Sequence, residues 1–221
     1  MPVDAEAPES LVEQAYLRIE NDIARLELAP GQVVSENMLA SRYEIGRTPI
    51  REALQQLARE GLVVILPKRG IVISEIDVRK QLRLLEVRRY MERCIVLLAT
   101  RNANDTERAH FAAIASEMTV AGASENGEAF LALDGEFNQL VLAASRNEFA
   151  VASMKLTQGL SRRFWFAFYQ KSADLNRAAQ LHAAIADAIA RKDESAAEKS
   201  LDQLLDNVKE FTLATLDSYH D

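Results

Sequence analysis

Arg47-Thr48-Pro49-Ile50-Arg51-Glu52-Ala53-Leu54-Gln55-Gln56-Leu57-Ala58-Arg59-Glu60-Gly61 is the stretch on which the reading of this chain turns. Its spacing predicts one helix with two faces. Ile50, Leu54 and Leu57 recur at the i, i+4, i+7 interval of a stripe turned to a core. Arg47, Arg51 and Gln55 line up one turn apart on the other side. Pro49 suits a first helical turn, where a missing N–H costs nothing. Thr48 is a candidate cap for that turn, and Gly61 suits a left-handed stop at the far end. Two arginines and a threonine beside a free helix N-terminus make a reader of phosphates and base edges. Taken alone, the same stretch also fits a solvated amphipathic helix.

Its neighbours decide between these. Ser10 to about Leu28 predicts a first helix with Leu11, Ala15, Ile19, Ile23 and Leu26 inside. Pro30-Gly31 is a turn. Ser35-Glu36 opens a short helix through Tyr43 with Leu39 inside, and Ile45-Gly46 joins it tightly to the Arg47 helix. That is a helix-turn-helix pattern. Leu62–Leu66 and Ile71–Ser74 predict two strands around a Pro67-Lys68-Arg69-Gly70 turn. A basic hairpin directly after a helix-turn-helix is a wing, whose tip can enter a minor groove or hold phosphate. The plain alternative is a hairpin with a solvated tip.

The chain has 221 residues and 48% hydrophobic side chains, enough for a sizeable core. Aromatics are only 6% and Ala and Leu abound, which favours helices. A single cysteine, Cys94, excludes an internal disulfide and fits a reducing, cytoplasmic setting. Asp4, Glu6 and Glu9 do not suit a signal peptide, and no apolar run approaches the ~18 residues of a membrane span. The net charge is −7. Residues 1–76 hold 8 basic and 12 acidic side chains and the remainder 18 and 21, so neither part is basic. Any DNA contact must come from local clustering, for which Arg42, Arg47, Arg51, Arg59, Lys68 and Arg69 are the candidates.

The run Pro30-Gly31, Ser35-Glu36, Leu39-Ala40, Arg47 through Leu54, Leu57, Glu60-Gly61-Leu62 and Arg69-Gly70 resembles the N-terminal winged helix of GntR-family bacterial repressors. It covers about residues 10–75. Two positions depart from the family pattern: Gly46 stands where a small polar residue is common, and Glu44 where glycine often is. The resemblance implies DNA contacts from Arg47, Thr48 and Arg51, assisted by Asn37 and by Lys68, Arg69 and Gly70 of the wing.

From Asp77 on the pattern is helical, with helices expected near 77–101, 105–121, 126–145, 148–171, 174–191 and 193–218. Strands are expected only in the wing. The fold class is therefore mainly α: residues 1–9 disordered, a winged helix-turn-helix over 10–75, and an antiparallel helical bundle for effector binding and dimerisation over 76–221. Polar residues interrupt the bundle's apolar stripes. Arg88 is the one charge among Leu84, Met91, Ile95 and Leu98. Asp134 and Asn138 lie between Leu131 and Val141, with Phe137 beside them. His182 lies among Ala178, Ile185 and Ile189. A buried charge costs several kcal/mol unless it is paired or serves a ligand. Inward Arg, Asp, Asn and His from separate helices would line a polar pocket. The plainer readings are an Arg88–Asp134 salt bridge, a hydrogen-bonded core histidine, and Glu92 orienting Arg88 from one turn on. Phe164, Trp165, Phe166, Phe168 and Tyr169 read as core and dimer contact. His110 and His220 sit in polar, exposed surroundings.

Arg88 with Met91-Glu92, Asp134-x-x-Phe137-Asn138, Ser145-x-Asn147, and His182 followed by Ala188, Asp193 and Ala197 resemble the FCD effector domain of the FadR-like GntR subfamily; six helices suit its VanR-type group. Many such domains hold a metal on one Asp and three His. Here Asp134 and His182 match, but Asn138 and Leu204 stand where two histidines are expected. That leaves a vestigial set and argues against tightly held Zn²⁺. The resemblance implies a homodimeric, ligand-responsive repressor on an inverted-repeat operator, no enzyme and no membrane partner. Arg88, Asn138 and His182 would bind a small carboxylate directly, with Asp134 orienting the histidine or the arginine. The alternatives are a regulator with a metal-assisted site, a metal-dependent helical enzyme using Asp134 and His182, and a non-specific architectural DNA binder.

Overall fold

The computed structural model describes residues 10–169 and 174–217, and the expected disorder of residues 1–9 lies outside them. Two compact units emerge: Met1–Asp77 with Leu156–Gln170, and Val78–Lys155 with Lys171–Asp221. The sequence places 156–170 in the bundle, whereas their contacts group them with the first unit.

In the first unit, helix α1 (Leu11–Ala24) starts on Ser10, whose hydroxyl accepts from Glu13 N. It is shorter than expected: Leu26 takes a left-handed φ of 65° and ends it, and Leu11 is exposed, while Ala15, Ile19 and Ile23 form the inner stripe. Strand β1 (Val33–Val34) precedes α2 (Glu36–Tyr43), capped by Ser35. Helix α3 (Arg47–Arg59) follows, then β2 (Val63–Leu66) and β3 (Gly70–Ile73). The three strands pair antiparallel in the order β1-β3-β2, with Val33 opposite Val72 and Val63 opposite Ile73. Strand β1 corrects the expectation that strands occur only in the wing; two residues are too short for an alternation pattern to register. One core joins Ile19 and Ile23 of α1, Leu39 of α2, Ile50, Leu54 and Leu57 of α3, and Leu62 and Ile73, all essentially inaccessible to solvent.

The stop at Gly61 is as the sequence reads it. Its φ of 78° is left-handed, its N–H donates to Ala58 O, and Leu62 N reaches back to Leu57 O. The start of α3 differs. Gly46, not Thr48, is the capping residue, and no side chain caps the helix. Glu44 holds the left-handed position, φ 56°, between α2 and α3, a conformation glycine adopts without the Cβ clash. Of the 156–170 segment, Arg163 is 3% exposed and donates to the carbonyls of Ser74 (2.7 Å) and Glu75 (3.2 Å). Burial pulls its pKa down to about 10.

The second unit contains six α-helices among the described residues. They are α4 (Val78–Asn102), α5 (Asp105–Ala123), α6 (Gly127–Ser145), α7 (Glu148–Phe164), α8 (Leu175–Ala190) and α9 (Glu194–Asp217), with α7 ending in the 156–170 segment of the first unit. The single helix expected over 148–171 ends at Phe164 and passes into a π-helical turn, Trp165–Tyr169. Asn104 and Glu107 form a reciprocal capping box at the start of α5. Phe111, Ile114 and Met118 of α5, Phe137 and Val141 of α6, Ile185 and Ile189 of α8, and Leu201 and Leu205 of α9 make the core. Along α4 and α9, Arg89 bonds Asp202 (2.8 Å) and Asp206 (2.5 Å), Arg93 bonds Asp202 (2.8 Å), and Arg101 bonds Glu194 (2.6 Å). The fully buried positions of α4 include Leu85, Ile95, Val96 and Ala99, so Leu84, Arg88, Met91 and Leu98 flank the buried face instead of centring it.

Candidate nucleic-acid interface and effector site

Helix α3 turns Ile50, Leu54 and Leu57 inward and leaves Arg47, Thr48, Arg51 and Gln55 exposed. The reading face is thus the complement of the packing face. Asn37 on α2 is exposed too. In the wing, Lys68 (φ 63°) and Gly70 (φ 99°) make the turn, Arg69 N donates to Leu66 O, and the side chains of Lys68 and Arg69 face solvent. All seven sequence-predicted DNA residues lie in the first unit, and none of their side chains is buried in its core.

Two arginines of the expected basic cluster are engaged. Arg42 bonds Asp22 at 2.5 Å and Glu27 at 3.2 Å, and is thereby withdrawn from the cluster. Arg51 holds Glu36 by a fork: Nε donates to Oε1 at 2.8 Å and Nη2 to Oε2 at 2.7 Å. That hydrogen bonding, with the charges of Arg51 and Arg47, holds the Glu36 carboxyl below the usual carboxylate range. Sequence reasoning missed Glu36. Its only local signal is its place in the first turn of α2, which says nothing about α3.

In the second unit, α6 and α8 bring Asp134, Asn138 and His182 together. His182 Nε2 lies 3.2 Å from Asp134 Oδ1, and its Nδ1 lies 2.8 Å from Ala178 O. A ring with Nδ1–H donating to that carbonyl presents the Nε2 lone pair to the carboxylate side, so a proton on Nε2 converts the contact into an ion pair. Phe130 and Phe137 stand edge-on to the imidazole, with centroids 5.4 and 6.3 Å away. Asn138 Nδ2 donates to Asp134 O at 2.8 Å. Of the two pairings the sequence offers Arg88, the one with Glu92 forms, Nε to Oε1 at 2.5 Å one turn along α4, whereas the salt bridge of Asp134 goes to His182 and not to Arg88. Its side chain is 18% exposed. His110 pairs with Glu136 at the surface, 2.6 Å apart, and His220 lies outside the described residues.

A metal tests poorly against these donors. Among the described residues no three His, Cys, Asp or Glu groups converge. Asn138 offers only a weak amide oxygen, and Leu204 is buried in the apolar core and has no donor atom. The set does not fit Zn²⁺, which takes three or four N, S or O donors.

Residues 11–73 match the family described as "Bacterial regulatory proteins, gntR family", and residues 83–207 match the "FCD domain". The chain belongs to the GntR family and carries an FCD domain. It is 30% identical over 188 residues to the Nta operon transcriptional regulator of Aminobacter aminovorans, covering 81% of this chain and 88% of that one. It is 23% identical over 198 residues to the HTH-type transcriptional repressor RspR of Escherichia coli (strain K12), covering 90% and 87%. Among solved structures, E. coli McbR/YncC superposes with a TM-score of 0.78 at 18% identity, covering 94% of this chain and 99% of that one. A GntR-family FCD protein is a DNA-binding transcription regulator, and the wing and helix-turn-helix described above are its DNA-binding parts.

Proposed function

We propose that this regulator is a cytoplasmic, homodimeric repressor, without catalytic activity, that releases or tightens on its operator when a small organic carboxylate enters the FCD bundle. The observation that carries the DNA half is the exposed edge Arg47, Thr48, Arg51 along the first two turns of α3. Two such helices, one per protomer, suit successive turns of an inverted repeat. Arg47, Thr48 and Arg51 read base edges and phosphate, while Asn37, Lys68, Arg69 and the Gly70 turn hold the backbone. The name of RspR as a repressor supports the direction of control. Val87 and Tyr90, 53% and 73% exposed, share a face of α4 with exposed Cys94, a surface suited to a second copy.

The effector half rests on four polar side chains beside apolar stripes: Arg88, Asp134, Asn138 and His182. A ligand carboxylate competes with Glu92 for the Arg88 guanidinium and displaces Asp134 from His182. Coupling then equals the difference in ligand affinity between the DNA-competent and DNA-incompetent arrangements. The rival reading, a helical enzyme using Asp134 and His182 as acid and base, leaves the α3 edge and the wing without a use.

The test uses duplexes from upstream of the chain's own and neighbouring transcripts, with a panel of small carboxylates. One duplex should bind well above a scrambled one, and at least one carboxylate should change that affinity. Arg88→Ala should lose the response while keeping operator binding and its melting temperature. Failure to prefer any duplex overturns the regulator reading. An Arg88→Ala protein with wild-type carboxylate sensitivity overturns the pocket.

A further inference from the structure

We propose that Glu36 is the positioning residue of the DNA-reading surface: its carboxylate grips the inner edge of the Arg51 guanidinium and presents the outer edge to a base pair. This deepens the function proposed above and rests on it.

The geometry is a side-on fork, Nε to Oε1 at 2.8 Å and Nη2 to Oε2 at 2.7 Å, joining the first turn of α2 to the second turn of α3. A guanidinium carries five N–H donors in one plane. The fork consumes the N–H of Nε and one of Nη2. Three donors remain: one on Nη1 and one on Nη2 lie parallel on the end-on edge away from Glu36, and the second N–H of Nη1 points to the Cδ side. That edge is the pair that matches O6 and N7 of guanine. Glu36 and a guanine can therefore hold Arg51 at the same time, in one plane, without competing.

Glu36 is itself well anchored. Ser35 caps α2 by accepting from Met38 N at 3.2 Å, which fixes the backbone from which Glu36 projects. Its side chain is 26% exposed against 50% for Arg51, so the carboxylate is the more sheltered member of the pair. A free surface arginine must freeze several torsions on docking, and one already gripped loses less freedom. Glu36 also places a negative charge beside Arg47 and Arg51, both of which bear on its own ionisation. It therefore weakens attraction for phosphates at large while leaving the base-reading edge intact. An acidic chain gains discrimination by this arrangement, since binding that depends on charge alone carries no sequence information.

The experiment selects binding sites from randomised duplexes with wild type, Glu36→Gln, Glu36→Asp, Arg51→Ala and the Glu36→Gln/Arg51→Ala double variant, at matched salt. Wild type should select a repeat with a strong guanine preference at one base pair per half-site. In Glu36→Gln that preference should fall about tenfold. Its affinity for a scrambled duplex should rise, and the salt slope should steepen by roughly one. Glu36→Asp keeps the charge but is one methylene too short for the fork, so it should lose guanine preference without the rise in scrambled binding. In the Arg51→Ala background, Glu36→Gln should change no base preference. An unchanged guanine preference in both Glu36 variants overturns the proposal, whatever their melting temperatures; a residue that merely stabilises α2 moves stability and leaves the selected bases alone. A wild-type protein that selects no repeat overturns the DNA-reading function as well, which separates the two failures.

Discussion

Gly46 stands at the capping position of α3 with no side chain to accept from the first turn. A Cβ built there meets only Pro49 Cδ at 3.7 Å and Cγ at 3.8 Å, which is ordinary contact, so a larger residue fits. A serine hydroxyl could accept from Thr48 N–H, because Pro49, the usual second candidate, has no N–H to give. Gly46→Ser should therefore stabilise the DNA-binding unit by a few tenths of a kcal/mol (~0.3), since glycine is itself a tolerated cap. The melting midpoint should rise by about 1–2 °C; an unchanged or lowered midpoint would show that the turn rejects a side chain. This departure was legible in the sequence, because capping is a local matter of a few neighbouring residues. The partners of Arg42 and Arg51 were not, and for Arg88 the sequence offered both Glu92 and Asp134. Each is a long side chain with several carboxylates in reach, and sequence spacing does not rank them. Arg88 took the neighbour one turn away, Glu92, while the more distant expected partner, Asp134, went to His182.

At the scale of elements, the inner faces of α2 and α3 and the middle of the α1 stripe were read correctly, since a 3.6-residue period records which side faces a core, whereas the ends of the α1 stripe, Leu11 and Leu26, were not. The bundle helices were placed well and their faces less well. In a bundle a helix is covered from more than one side, so its apolar arc is broad and its centre is poorly marked. The α1–α3 packing also contains something no period reveals. Tyr16 Oη donates to Glu60 Oε2 at 2.9 Å, Gln56 Nε2 donates to Oε1 at 3.2 Å, and Glu60 is 6% exposed. Burial pushes the Glu60 carboxyl up despite these bonds, and it pushes buried Glu20 up against the pull of Arg162. A carboxyl whose pKa is higher folded than unfolded binds its proton more tightly in the folded chain. Its contribution is then fully favourable below the unfolded value and is lost as pH rises through the folded one. Glu60→Gln keeps an oxygen for Tyr16 and removes the buried charge. It should melt a few degrees above wild type at pH 7.5, with the gap closing as pH falls towards about 4. A variant less stable than wild type at pH 7.5, with the deficit growing as pH rises, would contradict this account.

For the whole molecule, composition gave the fold class through its helix-forming residues, and one motif gave the DNA-binding role. The net charge of −7 argued against nucleic acid until the positions of individual charges were considered. The structure carries that point further: Arg42 is paired with Asp22 and Glu27 and Arg51 with Glu36, so on the proposed function Arg47, Lys68 and Arg69 would carry more of the phosphate attraction. Modest charge attraction with defined donors suits a protein that discriminates among sequences more than one that coats DNA. In the bundle, Arg88 pairs with Glu92 and Asn138 with Asp134 within single helices, which helical spacing alone allows, whereas the Asp134–His182 contact depended on the placement of two helices far apart in sequence.

The account stands most directly on the exposed N-terminal edge of α3. The measurement is the affinity of wild type, Arg47→Ala, Thr48→Ala and Arg51→Ala for one operator duplex and its scrambled counterpart, by fluorescence anisotropy, with melting temperatures on the same preparations. None of the three side chains packs in the core, so all variants should melt close to wild type. Arg51→Ala should weaken operator binding by ~1–3 kcal/mol and narrow the gap to the scrambled duplex. Three variants that all bind the operator as wild type does would contradict the docking of α3 on DNA.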